Sequence, residues 1–229
     1  MARKLFHMTT TTESTIITTV LPKYATETIG TMLLVATIGA AVGNASPLAP
    51  LGIGAVLAAL VYAGGHVSGA HYNPAVTIAA FVRGRIGHRD AVGYVVAQVL
   101  GGLLGAELVR VVAAAPTGAP LAPSGPQAIA AFVAELVFTF ALCYVVLNVA
   151  TSKDHPDNSF YGLAIGFTVM AGAIAVGGVS GAVFNPAVLV GGATLGMFST
   201  SALWYYLVAQ VAAGLAAGYV FRKLNAGDD

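Results

Sequence analysis

The stretch Ser180–Val190 reads SGAVFNPAVLV, and Ser68–Ile78 reads SGAHYNPAVTI. Asparagine is a favoured helix N-cap and proline a favoured first helical residue, so Asn73-Pro74-Ala75 and Asn185-Pro186-Ala187 each predict a helix start. The apolar stretches they open, Pro74 to Val82 and Pro186 to Gly196, would each rise through about half a bilayer at ~1.5 Å per residue. They are too short to cross. Backbone at membrane depth is tolerated only where protein buries it or where it lines a wet cavity. Two such half-helices opening on SGA loops therefore predict a pore or binding site at the midplane.

The surrounding sequence is that of a membrane chain. Of 229 residues, 57% are hydrophobic and 8% charged, against roughly 25% charged in a soluble domain. No Asp, Glu, Lys or Arg occurs from Thr28 to Val82 or from Asn158 to Phe221, and each run far exceeds the ~20 residues of a single span. Breaking the runs at Pro, Gly and polar clusters predicts spans at 23–43, 51–70, 91–112, 127–149, 161–179 and 202–222. The expected class is an all-α membrane protein with six transmembrane helices plus two re-entrant half-helices. Its parts are an N-terminal tail (1–21), a first repeat (22–112), an external connection (113–126), a second repeat (127–222) and a C-terminal tail (223–229).

Most positive charges fall at one end of the spans. Arg3, Lys4 and Lys23 precede the first, Arg83, Arg85 and Arg89 lie between the second and third, Lys153 lies between the fourth and fifth, and Arg222 and Lys223 follow the sixth. That bias predicts both tails in the cytoplasm, and the short loops suit a prokaryotic plasma membrane. A net charge of +1 without a basic, aromatic-rich cluster gives no reason to expect a nucleic-acid partner. A lone Cys143 excludes a disulfide within the chain and points to no metal site, and no cofactor is expected.

The chain also repeats itself. Asn73 and Asn185 are 112 residues apart (185 − 73), and Glu27 and Glu135, each followed four residues later by Thr, are 108 apart (135 − 27). Three spans separate the copies, and an odd number of crossings turns the halves opposite ways, as in inverted-repeat transport folds. Each Asn can accept a bond from its own helix and still hold an amide donor outward. Two such donors, backed by two helix N-termini, favour the oxygen of a neutral molecule and disfavour a cation.

With paired NPA motifs, a preceding Ser-Gly-Ala and the Glu-x-x-x-Thr of each first span, the sequence resembles the aquaporins, or major intrinsic proteins, from Tyr24 to Phe221. The resemblance implies a passive channel, not an enzyme, with one pore in each subunit of a homotetramer, open to water and small neutral solutes. It implies that Glu27 and Glu135 accept hydrogen bonds from the buried loops. It implies that His71 lines the cytoplasmic half of the pore, and that the carbonyls of Gly69, Ala70, Gly181 and Ala182 form a polar ladder. His66 is expected to be buried and structural, bonding to loop backbone. Gly101, Gly102, Gly105, Gly214 and Gly218 allow close helix contact, mostly within one subunit.

The second NPA departs from the family habit. Aquaporins usually follow it with Arg, and here that position is Val188. By resemblance the other constriction positions fall on Ile53, Ala173 and Ala182. A ring of Ile, Ala, Ala and Val lacks a fixed cation and lacks bulk, which predicts a wide, apolar filter passing urea, ammonia, hydrogen peroxide or glycerol besides water. Phe184, Tyr72 or the 113–126 connection refilling the space would instead make the channel water-selective. Two other classes stay open. An intramembrane enzyme would need Ser68 or Ser180 paired with a base. An ion-coupled transporter would need a spare buried charge from Glu27, Glu135 or Glu107, although Glu107 can pair with Arg110 one turn on.

Overall fold

The computed structural model describes residues 20–114 and 116–228, so the tail expected at 1–21 lies almost wholly outside the described residues. Among the described residues eight α-helices follow in order: α1 (Leu21–Gly43), α2 (Ala49–Ser68), α3 (Pro74–Arg83), α4 (His88–Val112), α5 (Pro126–Thr151), α6 (Tyr161–Ser180), α7 (Pro186–Thr194) and α8 (Leu203–Leu224). Six of them, 20 to 26 residues long, are long and apolar enough to cross a membrane. The short ones, α3 of 10 residues and α7 of 9, are the two half-helices.

Both short helices start as their sequence dictates. Asn73 and Asn185 share extended backbone at φ −156°. Each side-chain oxygen accepts from the N–H two residues on, Ala75 at 2.8 Å and Ala187 at 2.9 Å. The spans before them end at Ser68 and Ser180, not later, because Gly69 (φ +85°) and Gly181 (φ +81°) turn left-handed at the C-cap. Helix α7 stops at Thr194, two residues short of the expected Gly196, where another left-handed glycine (φ +76°) turns the chain and Met197 N–H reaches back to Gly192 O at 2.9 Å.

The halves pack as rotated copies. Helix α1 lies against α4 as α5 lies against α8, and α2 crosses α6 between them. At that crossing Gly54 and Gly166, themselves 112 residues apart, face each other. A β-carbon on either would stand under 3 Å from the other's carbonyl oxygen. Each half-helix then packs mainly on the third span of the opposite repeat, α3 on α8 and α7 on α4. Gly102 admits the Ala187 carbonyl and Gly214 that of Ala75, at 2.5 Å from where a β-carbon would sit. Gly101 and Gly105 likewise admit the carbonyls of Thr28 and Met32 on α1. The small-residue stripes thus serve contacts within the chain, by letting backbones approach.

At the end carrying most of the positive charge, Arg83 closes α3 with its guanidinium 4.6 Å from the centre of the Phe221 ring and 2.9 Å from the Asp228 carboxylate. Asp228 also accepts from Lys153 N–H at 3.0 Å. At the other end Arg110 pairs with Glu107 and donates to Thr194 O at 2.6 Å, covering the C-terminus of α7.

Candidate functional site

Two re-entrant loops meet at the centre, and each is held from behind by one carboxylate. Glu27, fully buried, takes Ser68 Oγ at 2.6 Å and His71 N–H at 3.0 Å on Oε1. On Oε2 it takes Tyr72 N–H at 2.7 Å and Gln98 Nε2 at 2.8 Å. Glu135 does the same with Ser180, Val183, Phe184 and Gln210, at 2.8, 2.9, 2.8 and 2.8 Å. Every partner is the repeat mate of its counterpart. Tyr94 and Tyr206 complete the sets, each hydroxyl donating to the carbonyl of the loop serine at 2.7 Å.

The direction of the carbonyls follows from these bonds. A trans peptide sets its N–H and C=O on opposite sides, so pulling the N–H groups of His71 and Tyr72 toward Glu27 turns the carbonyls of Ala70 and His71 away from it. Ala70 N–H bonds to Ser68 Oγ at 3.0 Å and turns the Gly69 carbonyl likewise. The same geometry, with Ala182 N–H on Ser180 Oγ at 3.1 Å, turns the carbonyls of Gly181, Ala182 and Val183. The backbone is forced to do this. Ala70, Tyr72, Ala182 and Phe184 all hold φ near +50°, a region that costs about 1–3 kcal/mol each for non-glycine residues and persists only where the surroundings over-determine it.

The two loops are also tied to each other, a feature the sequence reading missed. Asn73 Nδ2 donates to Phe184 O and Asn185 Nδ2 to Tyr72 O, both at 2.8 Å. One amide hydrogen of each Asn is used in this exchange, leaving the second for the cavity both residues line.

That cavity, with about 80 Å³ open to water-sized molecules, is bordered by both asparagines, by Ala70, His71, Gly181 and Ala182, and by Ile53, Ala173 and Val188. Every position of the expected constriction ring therefore faces one space. Its lining contains no Asp, Glu, Lys or Arg. Val76, the repeat mate of Val188, lines it too, so both half-helices show it the same side chain. At the end away from Arg83 a vestibule of about 380 Å³ shares Ile53, Ala173 and Ala182 with the cavity and adds residues 116–119 and Leu121 of the connection between the repeats. Met197 and Phe198, unforeseen in the sequence, border both chambers. They come from the turn after α7, which Leu121 cross-links through Met197 and Ser199.

His71 is half-buried, with Nδ1 3.1 Å from Thr77 Oγ1 and its ring edge-on to Tyr94. Gly69 stands outside the cavity lining, capping α2 beside the His71 ring. His66 is a correction: it is exposed, not buried. Gly64 and Ser68, four residues apart, share the buried face of α2, and position 66 lies between them in sequence, about 200° around the helix from either.

The serines and glutamates behind the loops are each engaged in holding them. Ser68 and Ser180 each donate to a glutamate that also holds loop N–H groups and accept a backbone N–H in turn, and His71 turns to Thr77, so neither serine is paired with a histidine. Both glutamates carry four partners, and Glu107 has Arg110.

Comparison with known proteins agrees with this geometry. The family model described as "Major intrinsic protein" matches residues 13–221. The chain is 34% identical over 220 residues to "Glycerol uptake facilitator protein-like 6" of Lactiplantibacillus plantarum, covering 90% of this chain and 99% of that one. It is 37% identical over 178 residues to "Nodulin-26" of Glycine max, covering 76% of this chain and 64% of the plant protein. Among solved structures the aquaglyceroporin of Plasmodium falciparum superposes with a TM-score of 0.77 over 89% of this chain and 96% of its own, at 21% identity, a likeness of fold.

Proposed function

The chain belongs to the major intrinsic protein family, and on that premise we propose that it is a passive membrane channel for water and small uncharged solutes, urea, ammonia, hydrogen peroxide and glycerol among them. One observation carries the solute range. The ring of Ile53, Ala173, Ala182 and Val188 faces the cavity without a fixed charge or a large polar side chain. A neutral solute entering it trades water for loop carbonyls and the two Asn amides. A cation would give up hydration and meet two helix N-termini, with no carboxylate in the lining to compensate.

The same reading makes the protein a homotetramer with a pore in each subunit. It sits in a prokaryotic plasma membrane with both termini cytoplasmic, on the side of Arg83, Arg85, Arg89 and Lys153. A second reading, a water-selective channel, draws on Phe198 and Met197, which border the ring and supply bulk that its alanines lack.

Stopped-flow light scattering on proteoliposomes given an inward urea gradient separates the two. Initial shrinkage reports water and reswelling reports urea. Fast shrinkage followed by fast reswelling, relative to empty liposomes, is the expected result. Shrinkage without reswelling favours the water-selective reading, and neither signal overturns both.

A further inference from the structure

We propose that Met197, outside the four-position ring, sets the upper size limit for solutes by acting as an adjustable side chain at the outer end of the filter. This rests on the channel reading above. Val188 and Gly192, four residues apart on α7, share a face, and both line the cavity. Gly192 offers no side chain there. Where its β-carbon would stand, the Phe198 ring lies 2.7 Å away and Met197 Sδ 3.6 Å away. The wall beyond Val188 is thus built by the turn that follows α7.

Within that turn the backbone is fixed and one side chain is not. Met197 N–H bonds to Gly192 O at 2.9 Å, its carbonyl accepts from Leu121 N–H at 2.8 Å, and Ser199 N–H returns to Leu121 O at 3.0 Å. Phe198 is buried, its ring 5.7 Å from that of Tyr206 and wedged between Gly181 and Gly192. At the junction of cavity and vestibule, Ala173, Ala182 and Gly181 lack reach. Val42 and Ile53 are β-branched and stiff at χ1. Met197 alone among these lining residues joins a partly buried position to an unbranched chain of three rotatable bonds. It changes the bore without moving backbone, and its thioether gives a passing solute a soft apolar surface.

The test compares wild type, Met197→Ala and Met197→Trp in proteoliposomes, with water, urea, glycerol and erythritol measured in each. The alanine variant is expected to raise the erythritol-to-water ratio by about tenfold, the lower end of what methylenes change in an apolar site. The tryptophan variant is expected to lower the glycerol-to-water ratio by a similar factor while still passing water. Unchanged ratios in both variants, with water flux intact, overturn the proposal. So does loss of water and solute flux together in both, which makes Met197 a support of the turn. A wild type that passes no water or solute refutes the channel reading instead, a result distinct from either.

Discussion

In the first re-entrant loop the residue ahead of the aromatic is His71, set against Thr77; in the second the matched residues are Val183 and Leu189. Behind these residues the loops are alike. Each has a glutamate with four donors, a serine that relays between it and the backbone, a tyrosine on the serine carbonyl, and left-handed backbone at matched positions. The repeat has kept what holds the backbone, and with it the paired Asn and Val of the lining, but has diverged at His71 and Val183. Carbonyl direction is a property of the backbone, and a buried N–H without a partner costs about 1–3 kcal/mol whichever way the repeat is turned. A side chain at the lining meets no such constraint and is free to set polarity and bore.

The largest effects should come from the shared scaffold. Glu27→Ala and Glu135→Ala each strand four donors, at about 1–3 kcal/mol apiece. Both are expected to abolish recovery of folded protein, read by size-exclusion chromatography in detergent. Survival of one variant but not the other would break the equivalence of the halves. Next come the glycines that seat the half-helices. Gly102→Ala and Gly214→Ala press a methyl onto a carbonyl that has nowhere to go, and overpacking of this kind costs about 1–3 kcal/mol. Matched drops in Tm with reduced water flux are expected, and a drop in only one would show that the two contacts differ in compliance.

His71→Val copies the second loop into the first and sharpens the comparison from the other side. Thr77 keeps Gln98 at 2.9 Å and Asn73 O at 3.2 Å, so stability should stay within about 1 kcal/mol of wild type. Water flux should fall as a polar group leaves the lining. A large loss of Tm would move His71 from lining to scaffold.

The smallest effect is expected far from the repeat axis, at Asp228. Burial works against its charge, but hydrogen bonds from Lys153 N–H and Ser152 and the guanidinium groups of Arg83 and Arg85 outweigh that and hold the carboxyl below its usual range. A carboxylate with a lowered folded-state pKa stabilises above its unfolded pKa and loses that contribution as pH falls through the folded value. Asp228→Asn should therefore lower Tm slightly at pH 7. The gap to wild type should close below about pH 4, near the ordinary carboxylate range. A gap that persists in acid would mean that packing, not charge, is what Asp228 supplies.

Six spans, two half-helices and the inverted repeat were legible because each rests on a one-dimensional rule: run length, capping chemistry and spacing. The roles of Glu27 and Glu135 came from family resemblance, and the structure supplies their physical cause in four matched donors each. His66 misled because helix phase, not proximity to a motif, decides which face is buried. Met197 and Phe198 left no signal, since the contacts that hold their turn include Leu121, 76 residues before Met197 (197 − 121), and Gly181 of the preceding loop. The exchange of Asn amides onto Tyr72 and Phe184 carbonyls depends likewise on two loops meeting. Run length, capping chemistry and repeat spacing alone determined that this chain crosses a membrane six times and folds back twice. That Met197 and Phe198 join the expected ring in bordering the passage was decided only by tertiary structure, because the bore is set by packing between segments far apart along the chain.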